Sequence, residues 1–100
     1  MASTVTVVRH RVTDFDAWKK VYDEFAPIQA EGGVHAHQVL RSNEDPNDVM
    51  ITHTFDSLED ARTFMGKPEL KDAMTRAGVK PDSLKVSYFD EVEAGTLIAS

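Results

Sequence analysis

Four histidines carry most of the chemistry that this sequence offers: His10, His35, His37 and His53. All four fall in stretches that read as strands, and none falls in a turn. An imidazole titrates near neutral pH, so one held against an apolar wall can act as a general base. His53, His37 and His10 are therefore the candidate catalytic residues. Proton removal from carbon next to a carbonyl would start a cyclisation or isomerisation, and Tyr88 or Tyr22 could hydrogen-bond the oxygen that becomes an enolate. Three imidazoles converging on one pocket can also ligate a divalent metal. No carboxylate and no H-x-x-x-H spacing supports that use, and neither a metal nor any other cofactor is expected. The structural alternative is that these histidines lie in the interior or at a subunit face, satisfied by backbone or water. Both readings stay open on the residues alone. There is no Ser-His-Asp set, phosphate-binding loop, GxGxxG or CxxC to support a hydrolase, nucleotide or redox-cofactor enzyme.

These side chains need elements to position them. The first strand runs from about Thr4 to Val12 and is dense in β-branched residues, with apolar residues on both faces. A helix follows, capped by Thr13 or Asp14, with Asp16 favourably placed in its first turn. Phe15, Trp18, Val21, Tyr22, Phe25 and Ile28 form its apolar stripe. Pro27 predicts a kink or a new turn, and Gly32-Gly33 an end. Strands are expected over about Val34–Arg41 and Val49–Asp56, joined through the turn formers Ser42 to Asp48. Ser57 and Asp60 resemble a capping box opening a second helix, whose inner face is Leu58, Ala61, Phe64 and Met65. Pro68 begins a further helix, Gly78 closes it, and the last strand runs from about Leu84 to Val92.

The order β-α-β-β-α-β is the split, ferredoxin-like α+β arrangement. Its first and third strands are neighbours, and its second pairs with its third. With Arg41 opposite Val49, His37 lies opposite His53 on one face, and His10 approaches from the adjoining strand. A slip of one residue would separate the pair. Both helices should cover one sheet face. Leu40 and Met50 then point to the other face, which a C2 dimer would cover. Phe25, Phe64, Met65, Trp18, Tyr22 and Tyr88 are the candidate substrate-binding residues, although core packing alone accounts for most of them. Arg9 and Arg11 are expected to pair with acidic residues such as Asp90 or Glu91 on the last strand, with receipt of an anionic substrate by one of them as the alternative.

Composition narrows the partners. One hundred residues make room for one domain, with a core over about residues 4–93 and a tail over 94–100. The absence of cysteine rules out disulfides and thiolate metal sites. A net charge of −6 and scattered basic residues argue against nucleic acid. No apolar stretch is long enough for a membrane span, and residues 1–4 carry no secretory signal, so cytoplasmic residence is the expectation.

Four stretches resemble a known group: Val12-Thr13-Asp14-Phe15-Asp16-Ala17-Trp18, Arg41 to Val49, Ser57 to Phe64, and Pro68 to Met74 with Ala77-Gly78-Val79. They are similar to the dimeric α/β-barrel superfamily, near the antibiotic biosynthesis monooxygenase-like and cyclase-like small proteins. The resemblance covers about Val5 to Val92. It implies a homodimer with a cavity between sheet and helices in each subunit. Activities in the group include cofactor-independent quinone-forming monooxygenation, polyketide cyclisation and haem degradation. The monooxygenase and haem-degrading branches use a strand asparagine with a pocket tryptophan. Here the only asparagines, Asn43 and Asn47, lie in the hairpin turn, and Trp18 lies in the stripe of the first helix, so those roles are not carried over. The resulting expectation is an enzyme acting on an aromatic or polyketide-like compound. A dimeric module that only binds a small ligand is the alternative.

Overall fold

The computed structural model describes residues 2–97. Four strands alternate with helices: β1 (Thr4–Arg11), α1 (Phe15–Glu24), α2 (Ala26–Glu31), β2 (Ala36–Arg41), β3 (Asp48–Phe55), α3 (Leu58–Met65), α4 (Pro68–Arg76) and β4 (Lys85–Asp90), with a short 3-10 turn at Pro81–Ser83. The strands form one antiparallel sheet in the order β2-β3-β1-β4. This is the ferredoxin-like α+β arrangement, with each helical layer split in two by a proline. Pro27 and Pro68 each sit in the first turn of the second piece, where the missing N–H costs nothing.

Local signals end the elements where their chemistry demands. Asp14 caps α1 by accepting from the Ala17 N–H at 3.0 Å, and Ser57 caps α3 by accepting from the Asp60 N–H at 3.1 Å. Gly78 follows α4 with φ +79°, and a Cβ there would collide with the Thr13 hydroxyl. That close approach ties the end of α4 to the chain leaving β1: the Thr13 N–H donates to the Gly78 carbonyl at 3.1 Å. Val12 bridges Val79 outside the sheet proper, so β1 ends one residue earlier than the β-branched run suggests.

The sheet is two-faced. Thr4, Thr6, Val8 and His10 of β1 and Val49, Ile51, His53 and Phe55 of β3 are buried beneath the helices. Residues of the opposite parity, Val5, Val7, Met50 and Thr52, are only half-buried, and Leu40 and Phe89 on the edge strands are exposed. Under the helices the core divides into two groups. One gathers Val12, Trp18, Val49, Ile51 and Ala77. The other gathers Phe25, Phe55, Ala61, Phe64 and Ala73.

Several sequence expectations need adjustment. His35 lies just before β2 rather than within it, and its Nε2 meets Asp56 Oδ1 at 3.2 Å at the surface. Arg9 does not reach the last strand: its guanidinium grips Asp48 of β3 through Nε at 3.2 Å and Nη2 at 2.8 Å. Residue 9 faces away from the helices with Asp48 on the neighbouring strand, and Asp90 lies farther along β4, opposite Thr4. Asn47 serves structure, its Oδ1 accepting from the Phe15 N–H at 2.9 Å where α1 begins. Ala94 to Leu97 form no helix or strand, and the rest of the expected tail lies outside the described residues.

Candidate active site

The seam between the two core groups holds a cavity walled by members of both. Val8, His10, Ile51 and His53 form its floor on the sheet. Trp18, Tyr22, Phe25 and Gln29 form one wall, and Phe64, Met65, Leu70 and Met74 the other. The cavity is partly open to the surface and has a volume of about 60 Å³. That is well below the roughly 150 Å³ of a cavity that takes benzene. A ring can enter only if the α3–α4 wall gives, and the unbranched, adaptable Met65 and Met74 are suited to that.

The floor places its two imidazoles apart. His53 pairs with Thr6, and His10 lies four residues farther along β1 on the same face. At about 3.4 Å per residue this separates them by about 14 Å along the strand. Both are buried, with 2% and 6% of His10 and His53 exposed. Burial lowers both imidazole pKa values, that of His53 to about 4, with the nearby His37 as a lesser cause for His53. Tyr22 is pushed up to about 12 by its own burial. No Asp, Glu, Lys or Arg lines the cavity. Its polar groups are therefore neutral at pH 7.

The environments of the two imidazoles differ. Neither ring nitrogen of His10 has a hydrogen-bond partner among the described residues. Its ring meets Trp18 edge-on, with centroids 5.7 Å apart at 85°. His53 is held: its Nε2 lies 3.0 Å from the Tyr22 hydroxyl, and the rings of Phe55 and Phe64 meet it edge-on. The same hydroxyl lies 3.0 Å from Nδ1 of His37, which pairs with His53 across the β2–β3 ladder in the expected register. Trp18 stacks on Tyr22 with centroids 5.0 Å apart, so an aromatic wall joins the two ends.

The structure thus brings together His10, His53, Trp18, Tyr22, Phe25, Phe64 and Met65 around one space. His37 stands at its edge, exposed, and reaches it through Tyr22. Tyr88 stands apart from the cavity, partly exposed, with the Arg62 guanidinium 5.9 Å from its ring centre. Although residue 88 pairs with Thr6 on the helix-facing parity, edge strand β4 carries it beyond the helical cover. Gln29 is a lining residue that the apolar stripe overlooks. It lies four residues after Phe25 and is buried, so its helical spacing was the available signal. Among the described residues no cluster of His, Asp or Glu has the arrangement of a metal site. No helix of the described residues is long and apolar enough to cross a membrane.

Residues 1–76 match the family described as antibiotic biosynthesis monooxygenase. No curated protein matches the chain. Similar solved structures include SnoaB, a cofactor-independent oxygenase from Streptomyces nogalater, at 16% identity and a TM-score of 0.70, covering 97% of this chain and 98% of that one. A candidate antibiotic biosynthesis monooxygenase from Chloroflexus aurantiacus shares 21% identity at a TM-score of 0.70, covering 95% and 98% of the two chains. Another from Bordetella bronchiseptica shares 11% identity at 0.78, covering 93% and 100%. At these identities the solved structures bear on the fold alone.

Proposed function

This chain belongs to the antibiotic biosynthesis monooxygenase family, and we propose that it is a cofactor-independent monooxygenase-like enzyme acting on a neutral, polycyclic aromatic compound. The observation that carries this reading is an uncharged, aromatic-walled cavity whose floor holds two buried imidazoles of different state. A charged ligand would lose its hydration there without gaining an ionic partner. A flat, neutral one would stack along Trp18 and Tyr22 and offer a polar atom to His10, whose nitrogens are unsatisfied. Membership of the antibiotic biosynthesis monooxygenase family supports the reaction class.

In this reading His53 removes a proton from an activated ring carbon, and a neutral His10 N–H hydrogen-bonds an oxygen at the other end of the ligand. The electron-rich carbanion then reduces dioxygen. A ring CH2 becomes C=O, one oxygen atom enters the product, and the other leaves as water with the two hydrogens. The substrate supplies all four electrons, so no flavin or metal is needed. Phe25, Phe64 and Met65 exclude water and shape the slot. Anthrone, a neutral tricyclic ketone with an acidic CH2, is a suitable probe. Oxygen uptake should accompany its conversion, and His53→Ala should slow it by about 10²-fold, the lower range for loss of a general base. Unchanged uptake in His53→Ala would sink the catalytic assignment. Anthrone bound and recovered unchanged would favour a ligand-binding module instead.

The half-buried Val5, Val7 and Met50, with exposed Leu40 and Phe89, support a homodimer closed across the open sheet face, in the cytoplasm as the expected compartment. Sedimentation should give twice the chain mass, and Leu40→Asp should shift it toward the monomer.

A further inference from the structure

We infer that Tyr22 and His37 form a proton outlet linking the cavity to the surface, so that His53 passes on the proton it accepts. The inference rests on His53 acting as the base. It comes from one hydroxyl shared at 3.0 Å by two imidazole nitrogens, His53 Nε2 and His37 Nδ1. A phenol has a single hydrogen to donate. If both contacts are hydrogen bonds between neutral groups, one ring accepts from Tyr22 and the other donates to it. The two rings are thereby locked in the same tautomer, both protonated at Nε2 or both at Nδ1.

The base-ready arrangement has the His53 Nε2–H donating to the Tyr22 oxygen and the Tyr22 O–H donating to His37 Nδ1. His53 Nδ1 then keeps its lone pair. When that nitrogen takes a proton from carbon, the Nε2 proton moves to the phenol oxygen. The phenol proton moves to His37 Nδ1, and the Nε2–H proton of His37 leaves to water. One proton enters the chain and one leaves, and each of the three groups ends neutral. Reverse hops reset the chain: His37 Nε2 takes a proton from water, and His53 Nδ1 gives its proton to the reduced oxygen atom that leaves as water.

Ring geometry favours such hops. The Tyr22 ring lies at 25° to His37 and 20° to His53, each with centroids 6.1 Å apart. The near-parallel rings, with their centroids well apart, make contact through the hydroxyl and the two nitrogens rather than face on face. The electrostatics give the outlet a purpose. Burial opposes both an imidazolium at His53 and a phenolate at Tyr22, so neither is a resting place for charge. His37, exposed on edge strand β2, can exchange with water. The Gln29 amide of α2 also meets the Tyr22 hydroxyl, but a neutral amide does not take up the proton, and the charged groups nearby do not compete for it. Lys19 and Asp23 of α1, beside Tyr22, are paired with each other. Phe64 of α3, Phe55 of β3 and Thr6 of β1 face His53 without charge.

Two measurements test the outlet. Long-range proton–nitrogen NMR of the imidazoles at pH 7.5 (about one unit above the free imidazole value), without ligand, should show His53 protonated at Nε2 and His37 unprotonated at Nδ1. Tyr22→Phe should release His37 into a tautomer mixture. With anthrone as probe, His37→Ala should lower kcat by about tenfold, a fraction of a full acid–base contribution. KM should hold, and millimolar imidazole in the buffer should restore the rate. Wild-type kcat in His37→Ala, or a His37 tautomer indifferent to Tyr22→Phe, would overturn the outlet while leaving His53 as the base. Full activity in His53→Ala would overturn both.

Discussion

The two ends of the cavity are built from the same residue type on the same sheet face, yet they are held differently. At one end His10 is boxed by Trp18 and has no hydrogen-bond partner among the described residues. At the other, His53 shares the Tyr22 hydroxyl with an exposed histidine. Burial lowers the pKa of each, so burial alone does not distinguish them. The difference lies in what faces them across the helix–sheet seam. Trp18 presents an apolar ring, whereas Tyr22, four residues and one helical turn later, presents a hydroxyl. An unsatisfied buried imidazole reduces stability and leaves hydrogen-bonding capacity for a ligand. A satisfied one has a defined orientation and a route for its proton.

Substitutions should separate the two ends by amount and by sign. Trp18→Ala should have the largest effect, destabilising by about 3–5 kcal/mol because it empties the wall over His10 and removes the stacking partner of Tyr22. Urea unfolding would measure it, and a loss below 1 kcal/mol would show that the His10 end is not packed as described. The next effect is acid sensitivity. His53 titrates near 4 when folded and near 6.5 when unfolded, so the unfolded chain binds more protons between those values. Stability is therefore full above pH 6.5 and falls as pH drops toward 4, by about 3 kcal/mol from this group. His53→Leu should flatten the unfolding free energy over that window. An unchanged slope would mean that His53 is not held neutral by burial.

Smaller and opposite in sign is His10→Leu. Removing a buried polar group that lacks a partner should stabilise the free protein by about 1–2 kcal/mol, while weakening binding of a hydroxylated aromatic probe. A destabilising result would mean that water already satisfies the ring. Smallest is Asp14→Ala, which removes the cap of α1 and should cost about 1 kcal/mol in thermal unfolding. Because α1 carries both Trp18 and Tyr22, that loosening should reach Tyr22 as well, and the NMR lock of His37 and His53 should weaken in the same variant.

Much of this frame was legible in the chain. Runs of β-branched residues, the Asp14 and Ser57 caps, the prolines and Gly78 predict the elements, because their signals act over a few residues. The local hairpin across Ser42–Asp48 was also legible; pairing of His37 with His53 followed only from assuming Arg41 opposite Val49, the register that the structure adopts. Tyr88 was misplaced relative to the cavity, because period-two alternation assigns a face but not how far the helices extend over an edge strand.

By itself the sequence determined the element order, the two-faced sheet and the histidines' parity, all consequences of local propensity and short-range patterning. Tertiary structure alone decided that one tyrosine hydroxyl reaches two imidazoles, that His10 meets an indole instead of a partner, and that Arg9 grips Asp48. The first two depend on the rotation and height of α1 over the strands, the third on the pairing of β1 with β3, and the contacts join residues 8 to 39 positions apart. Packing of the whole domain sets them, and no local pattern of residues encodes them.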